Sequence, residues 1–557
     1  MSPRIKVYPG EKEIEVPEGG SLLEALVDAG YYVEALCGGR GTCGRCAVKV
    51  LAGVIAPGKA DLEALGESAV REGLRLACRA RVTENISVKL EGEAPLVPGE
   101  WSPYLDEDEI RSDTLKKVGE GGFVFQTGET KVFLGKITHA PIGVAVDGGT
   151  TSVEALFVDL ASGRVIGSER RMNRQVTLGA DVVSRIEFAL RGGENLYKLR
   201  KLFLDTLADC LNGFLRKRKL HEEDLVAVAL SGNIFITYSF LGYDMKPLSR
   251  FPFAPPFMET LSFDEEGVIP MNRSGAIILF PAPGAFVGGD ATAGITSIGL
   301  DVEGPPEVFM DIGTNTEIAV AGNGGIYVTS VPSGGAFEGA EIECGMMALP
   351  GAINDVSIKD SVSLSVVGRE DPRGISGSGL VSAVAELLKN GILDRDGRLL
   401  SRSEAQGKVS DGQLWRLIEV EGEPAYLLYI GERGNPNVYL TQKDIRSFQA
   451  AKSATRAAVE LLLDRAGVGK TKVRGVYIAG AFGKGVREEA LFSTGMLPPE
   501  FRGKVKKVGN TSIRGAYRAL TEREFLKRAR ECVEKMKLVH LGGESDFEKA
   551  FLSFLDF

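Results

Sequence analysis

Three of the seven cysteines fall within ten residues, in ALCGGRGTCGRCAVKV (35–50). Cys37, Cys43 and Cys46 have the spacing C-x5-C-x2-C, and Cys78 follows in LRLACRARV. Four thiolates are what a [2Fe–2S] rhombus needs, two for each iron. The three close cysteines must lie on a loop wrapped around the metal. Gly38, Gly39, Gly41 and Gly44 would let that loop turn backbone N–H groups toward the sulfurs. Zinc is the alternative for C-x2-C, but zinc sites usually pair two such knuckles, and here the fourth cysteine stands alone. Arg40 and Arg45 read as solvated loop charges, with the docking of a partner as the alternative. Cys210, Cys344 and Cys532 have no cysteine neighbour and read as small buried hydrophobes. Cys344 alone sits in a glycine-rich stretch, GAEIECGMM, where a redox or ligand role is the alternative.

The elements around the cysteines are legible. RIKVYPGEKEIEVPEGG reads as a hairpin with a Pro-Gly turn. SLLEALVDAG reads as a short helix, with Ser21 as N-cap and Glu24 completing a capping box. CAVKVLAG and ENISVKL read as strands. Hairpin, helix, cluster loop and strands make a β-grasp order, and this part of the chain resembles the ferredoxin family. Its first gap is the wider one of the adrenodoxin-like branch.

A second chemistry lies in a repeat further along, and repeats take precedence over other patterns. GVAVDGGTTSVEALFVDL begins at Gly143 and VFMDIGTNTEIAVAGNGG at Val308. Aligned on Asp147 and Asp311, both read as apolar strand, Asp, a Gly/Thr hairpin and a returning strand. Such a hairpin can cradle phosphate oxygens, while the aspartate holds Mg2+, usually through water. A third element, VRGVYIAGAFGKGV (473–486), is a strand running into a close-approach turn at Gly480 and Gly483 that could admit a nucleoside. Upstream, DIRSFQAAKSATRAAVELLLDRAG reads as an amphipathic helix with Gln449, Lys452, Ser453 and Arg456 along one polar stripe.

DRAGVGKT, ending at Thr471, imitates a phosphate-binding P-loop. The first glycine of that motif would fall on Asp464, and the context runs helix to strand instead of strand to helix. It reads as a helix C-terminus with basic residues beyond it.

The two hairpins and the nucleoside turn, in that order, resemble the superfamily of acetate and sugar kinases, heat-shock chaperone ATPases and actin. That resemblance implies Mg2+-side carboxylates at Asp147 and Asp311, and phosphate contacts at Gly148, Gly149, Thr150, Thr151, Gly313, Thr314, Asn315 and Thr316. It implies nucleoside contacts at Gly480 and Gly483, with Gln449, Lys452 and Ser453 matching the chaperone helix that flanks adenine and ribose. Glu317 is a candidate for positioning water or Mg2+, with a plain surface strand residue as the alternative.

The bulk numbers set limits. A net charge of −9 over 557 residues argues against a nucleic-acid partner, which needs a basic face. The charged, alternating N-terminus does not read as a signal peptide. No run of 18 apolar residues occurs, so no membrane partner and a cytoplasmic location are expected. The fold class expected is α/β multidomain: an N-terminal β-grasp ferredoxin domain plus a duplicated RNase H-like, actin/chaperone-type ATPase domain. The divisions expected are 1–93 for the ferredoxin domain, 94–140 for a linker with a small β element, 141–305 for the first ATPase half and 306–557 for the second.

Taken whole, the chain resembles the reductive activators of corrinoid proteins. The resemblance also rests on LSGNIFITYSFLGYDMKPLSRFPFAP (230–255), FVGGDATAGI (286–295), PSGGAFEGAEIECGMMALPGAI (332–353) and GISGSGLVSAVAELL (374–388). It implies an ATP-dependent iron–sulfur reductase that passes a low-potential electron from its [2Fe–2S] cluster to the Co(II) corrinoid of a partner methyltransferase or corrinoid protein, restoring Co(I). The implied cofactors are the cluster, ATP and Mg2+. The implied partners are the corrinoid protein and an upstream donor such as a ferredoxin or reductase, with a homodimer left open. Plant-type clusters lie near about −400 mV, and each further ~100 mV for one electron costs about 2.3 kcal/mol. A nucleotide cycle that changes partner affinity by a few kcal/mol can cover that.

The chain departs from that family's pattern twice. It has room only for a vestige of the small domain usual between linker and ATPase, and it carries Phe235 and Tyr238 where Met and His often follow the Gly-Asn segment. The alternatives are an ATP-dependent activator of another low-potential metalloenzyme, or a redox-sensing nucleotide-binding regulator. The loop PSGGAFEGAE (332–341) reads as a surface turn, or as a surface that meets the partner's cofactor through Ser333 and Phe337.

Overall fold

Two six-stranded sheets carry most of the chain, and their strand orders match. In the first, Ile142–Gly148, Ser152–Asp159 and Val165–Met172 follow one another antiparallel. Leu225–Gly232 and then Ala276–Leu279 add in parallel on the far side of Ile142–Gly148, with Leu261–Ser262 at the edge. In the second sheet Glu307–Ile312, Asn315–Gly322 and Gly325–Pro332 are antiparallel. Gly475–Ala479 and Val505–Gly509 add in parallel, and Met536–Leu538 closes the other edge. With the short edge strands Leu261–Ser262 and Met536–Leu538 left out, the five remaining strands of each sheet, numbered within each half, read 3-2-1-4-5, the RNase H-like order, so the sequence repeat is a structural duplication. Leu225–Gly232 is buried at every position, as a parallel strand covered on both faces must be.

The computed structural model describes the chain except residues 1, 9–10, 32, 34, 36, 91–109, 119–121, 129, 137–139, 180, 252, 263–266, 268, 314, 323, 340 and 432–435. The Pro-Gly turn at 9–10, Thr314 and the first part of the 94–140 segment therefore lie outside the described residues. The chain forms two compact units, Met1–Asp290 with Ser512–Lys527, and Ala291–Thr511 with Arg528–Phe557.

The first unit opens with a five-stranded sheet in the order Lys12–Glu15, Arg4–Tyr8, Ile86–Leu90, Ala47–Ala52, Leu74–Leu76. The parallel pairing of Arg4–Tyr8 with Ile86–Leu90, across the helix Leu22–Asp28, is the β-grasp arrangement. Ser21 caps that helix by accepting from Glu24 N at 3.3 Å. The Glu24 side chain does not complete a capping box; its carboxylate lies 3.9 Å from Lys198 Nζ. A second helix, Lys59–Arg71, was not evident in the sequence because Gly66, at φ 80°, breaks its periodicity. Leu115–Val118, Gly122–Thr127 and Thr130–Lys136 form a separate antiparallel sheet. It is tied to the last segment of the unit by Thr114 Oγ1 to Leu520 O (2.6 Å) and Gly128 N to Arg523 O (2.6 Å). Among the described residues no helix is long and apolar enough to cross a membrane.

Candidate functional site

The cysteine loop is held open by its glycines. Gly38, Gly39, Gly41 and Gly44 all have φ between 61° and 78°, a left-handed backbone that other residues adopt only under strain. Cys37 and Cys46 are buried, Cys43 and Cys78 half-buried, and none of the four is in a disulfide. Burial alone would raise the Cys37 thiol. Backbone N–H groups of Thr42, Cys43 and Gly41 aimed at its sulfur outweigh that and pull it down to about 6. Cys46 is also lowered, by its hydrogen bond with Cys78, and Cys78 is raised by the same contact and by burial. Four thiols pressed together, with amides turned on their sulfurs, make a donor set that fits a [2Fe–2S] cluster. Cys210 is buried in an apolar cluster and Cys532 is buried beside Thr296, and burial pushes both thiols up to about 12. Cys344 is half-buried and bonds Asn437 O.

The first Gly/Thr hairpin joins Ile142–Gly148 to Ser152–Asp159. Its three carbonyls all face into the protein. Gly149 O accepts from Asn173 Nδ2 (3.0 Å), Thr150 O from the Arg185 guanidinium (2.7 Å) and Thr151 O from Asn173 N (2.9 Å). In a trans peptide the C=O and the following N–H point opposite ways. The N–H groups of Thr150, Thr151 and Ser152 are thus directed away from the brace, as an anion-holding hairpin requires. Asp147 ends the strand beside Ser231 of the parallel neighbour. Ser512 donates to Asp147 Oδ1 (2.8 Å) and lies 2.9 Å from Ser231 Oγ. Asn233, which caps Ile234–Leu241, donates to Thr150 Oγ1 at 3.2 Å. Asn173, Arg185 and Ser512 went unread in the sequence, and Asn233 was read only as part of the Gly-Asn segment, because each reaches the hairpin only through tertiary folding. Gly148 is buried in the strand, and a Cβ there would meet Ile236 at 2.8 Å. Its glycine serves packing, and the expected phosphate contact does not fall on it.

In the second unit Asp311 pairs directly across from Glu317, as Asp147 pairs with Glu154 in the first. Residues opposed in this way share a face of the sheet. Glu317 is therefore not a plain surface residue: it is partly buried and accepts from Ser330 Oγ at 3.0 Å. Asn315 is exposed, and Gly313 is partly buried. Thr316 corrects the expectation: it is fully buried, with its hydroxyl 2.7 Å from Ser333 Oγ. Ser333 in turn donates to Gly313 O at 3.1 Å. Ser333 and Phe337 are both buried, so the partner-facing surface of the alternative reading is not formed by these two; of that loop, Glu338 and Glu341 are exposed, with the Glu338 carboxylate close to Gly313.

The third element splits in two. Gly480, at φ 77°, stands so near Asp311 that a Cβ would lie 2.8 Å from its Oδ1, so only glycine fits there. Gly480 opens a short helix, Gly480–Gly485, instead of a bare turn. Gly483 lies inside that helix, where a Cβ would meet Ile478 O at 2.6 Å; its role is helix-on-strand packing.

The helix stripe also needs correcting. The donors of Gln449, Lys452 and Ser453 are spent on the C-terminal segment. Gln449 Nε2 bonds Leu555 O (2.9 Å), Lys452 Nζ bonds Phe554 O (2.6 Å) and Asp556 O, and Ser453 Oγ bonds Phe551 O. Arg456 lies over the Phe554 ring and Lys452 over the Phe557 ring. Helix Gln442–Arg465 anchors the chain end, and these side chains do not line an open nucleoside site. The P-loop imitation is likewise structural: Gln442–Arg465 ends there, Gly467 takes φ 63°, and Lys470 pairs with Glu460 at 3.0 Å.

A β-grasp ferredoxin domain followed by a duplicated RNase H-like domain with paired Asp hairpins defines a ferredoxin-fused ASKHA protein. Family comparison agrees over nearly the whole chain. The model described as the C-terminal domain of RACo, the ASKHA domain, matches residues 306–557, the RACo middle region matches 142–303, and the 2Fe-2S iron-sulfur cluster binding domain matches 5–83. The chain belongs to the RACo family.

Corrinoid activation enzyme RamQ of Eubacterium limosum is 31% identical over 387 residues, 69% of this chain and 64% of that protein. The [Co(II) methylated amine-specific corrinoid protein] reductase of Methanosarcina barkeri is 25% identical over 445 residues, 72% of this chain and 73% of that one. A solved structure, the reductive activator for corrinoid,iron-sulfur protein, matches with a TM-score of 0.72 at 26% identity, covering 100% of this chain and 98% of its own. The chain thus spans just under two thirds of the first of these relatives.

Proposed function

We propose that this protein is an ATP-dependent reductive activator that returns the Co(II) corrinoid of a partner protein to Co(I). The observation that carries the reading is the pairing of a four-thiolate loop with two braced Asp/Gly/Thr hairpins in one chain. When bound by Cys37, Cys43, Cys46 and Cys78, the cluster supplies one low-potential electron. The loop amides aimed at the sulfurs stabilise the thiolate form that ligation needs.

Asp147 and Asp311 are assigned to Mg2+. Gly149, Thr150, Thr151, Gly313 and Asn315 are assigned to the phosphates of ATP, and Gly480 to the nucleoside. Glu317, and by duplication Glu154, position water or Mg2+. Ser512 fixes the Asp147 carboxylate so that one oxygen stays oriented for the metal shell, as outer-shell partners do at other metal sites.

The electron donor is read as a protein with an acidic face. Arg40, Arg45, Arg79 and Arg81 flank the cysteines, all four are exposed, and none has an ion pair among the described residues of this net-acidic chain. Such a rim steers an acidic partner and makes its docking sensitive to salt.

The test is anaerobic. Reduced, cluster-loaded protein is mixed with a Co(II) corrinoid protein, with and without Mg-ATP, and the Co(I) absorption is followed. Co(I) should form with ATP and fail to form in Asp147→Ala or Cys78→Ala. Equal rates without ATP would remove the activator reading, and no reaction with any corrinoid protein would favour another metalloenzyme as the target.

A further inference from the structure

One segment of the first unit touches both chemistries. Residues 173–185 brace the first hairpin through Asn173 and Arg185, as described above. At its middle, the same segment lies against the cysteine loop. A Cβ on Gly38 would be 2.7 Å from Leu178 O, and one on Gly39 would be 3.3 Å from Thr177 O. Both are glycines flanking Cys37.

Apart from residue 180, which lies outside the described residues, the segment is tied down at several points. Asn173 Oδ1 caps the short 3-10 helix Arg174–Thr177 by accepting from Gln175 N at 3.1 Å. Gln175 is fully buried and donates to Leu199 O and Ser239 Oγ. Met172 and Val176 are part of the ferredoxin domain's own apolar core. Arg174 bridges Asp28, at the end of helix Leu22–Asp28, and Asp209, at 2.7 and 2.9 Å. Arg185, fully buried, donates through Nε to Gly179 O (2.7 Å) and through Nη2 to Thr150 O (2.7 Å), so one side chain ties the segment's end to the hairpin.

We propose that residues 173–185 couple the occupancy of the first hairpin to the redox state of the cysteine loop, with Asn173 and Arg185 as positioning residues. The inference rests on reading that hairpin as a phosphate holder. An anion drawn onto the outward amides of residues 150–152 pulls on peptides whose carbonyls are bonded to Asn173 and Arg185. A packed, hydrogen-bonded segment passes such a displacement on instead of absorbing it. At the segment's middle, Leu178 and Thr177 lie against Gly38 and Gly39, the two residues that join Cys37 to the turn whose Gly41, Thr42 and Cys43 N–H groups face its sulfur. Those hydrogen bonds tune the cluster potential.

Linkage makes the proposal quantitative. If nucleotide shifts the cluster potential, reduction must shift nucleotide affinity by the same factor, and a tenfold factor corresponds to 59 mV for one electron. The experiment uses the cluster-loaded full chain. The affinity for Mg-ADP is measured by calorimetry with the cluster oxidised and reduced, and the midpoint potential is titrated by EPR with and without Mg-ADP.

The wild type should show at least a threefold affinity ratio between the two redox states, and a potential shift that matches it. Arg174→Gln, which loosens the segment from the ferredoxin helix and touches neither site, should bring the ratio to one while leaving the oxidised-state affinity within about twofold. Asn173→Asp keeps the cap on Gln175 and loses the donor to Gly149 O; it should abolish the ratio and weaken binding in both states. A ratio of one in the wild type, or an undiminished ratio in both variants, overturns the proposal. If the wild type does not bind Mg-ADP in either state, the phosphate-holder reading fails and the coupling with it.

Discussion

Asn173 and Ser333 hold the same post in the two halves. Each is the first residue after the third strand of its sheet, and each donates to the carbonyl of the hairpin glycine, Gly149 at 3.0 Å and Gly313 at 3.1 Å. A short 3-10 helix follows in both cases, Arg174–Thr177 and Gly335–Glu338. The duplication therefore reaches past the strands to the side chain that braces the Gly/Thr hairpin.

From that equivalence, Ser333 acts on the hairpin and not on a partner. Ser333→Ala removes the donor to a buried carbonyl and the acceptor for Thr316, which should cost about 1–3 kcal/mol. It should lower the melting temperature and weaken nucleotide binding, while the cluster's EPR signal is unchanged. Wild-type stability and nucleotide affinity, with only corrinoid reduction slowed, would return Ser333 to the partner surface.

The cluster assignment is tested by composition. Protein purified without oxygen should hold about two irons per chain, with a [2Fe–2S] EPR signal on reduction. Cys78→Ala should lose that signal. Cys210→Ala and Cys532→Ala should keep it, since both thiols are buried away from the four clustered cysteines. Stoichiometric zinc without iron would sink the assignment.

For the nucleotide, Asp147→Ala and Asp311→Ala should each abolish Mg2+-dependent ATP turnover. Ser512→Ala should leave the fold intact and raise the Mg2+ requirement by about 10–100-fold, the usual cost of losing an outer-shell partner. Lys470→Ala should be close to wild type, because Lys470 pairs with Glu460 far along the helix end. A dead Lys470→Ala enzyme would show that the P-loop imitation is the true phosphate site.

Removing residues 554–557 should destabilise the second unit by more than about 3 kcal/mol, because it strips carbonyl partners from a buried ammonium. Burial, with Arg456 nearby, lowers Lys452 to about 8 from an ordinary 10.5. Between those values the unfolded chain holds the proton that the folded chain has released. The Lys452 contribution to stability therefore rises with pH across that window and is lost as pH falls through about 8. Lys452→Met should flatten this part of the melting-temperature profile; an unchanged slope would assign it to another group.

Local patterns were enough to place the cysteine loop, the two Asp/Gly/Thr hairpins and the helix end at the P-loop imitation. Each is a short run whose spacing and backbone needs are complete in themselves. Four glycines forced into left-handed φ around Cys37, Cys43 and Cys46 are a property of neighbours in sequence, and the repeated strand–Asp–hairpin is another. The braces were out of reach of such reading. Asn173, Arg185, Ser333 and Ser512 stand 20 to 365 positions from the groups they hold, and even at Ser333, which the glycine-rich loop marks, nothing nearby in sequence names the carbonyl it holds. The helix stripe of Gln449, Lys452 and Ser453 failed for the opposite reason. Its polarity was read correctly, but a polar stripe states only that donors exist. Which carbonyls accept them was decided when the last residues of the chain folded back onto that helix, because buried donors take the partners that packing brings within reach.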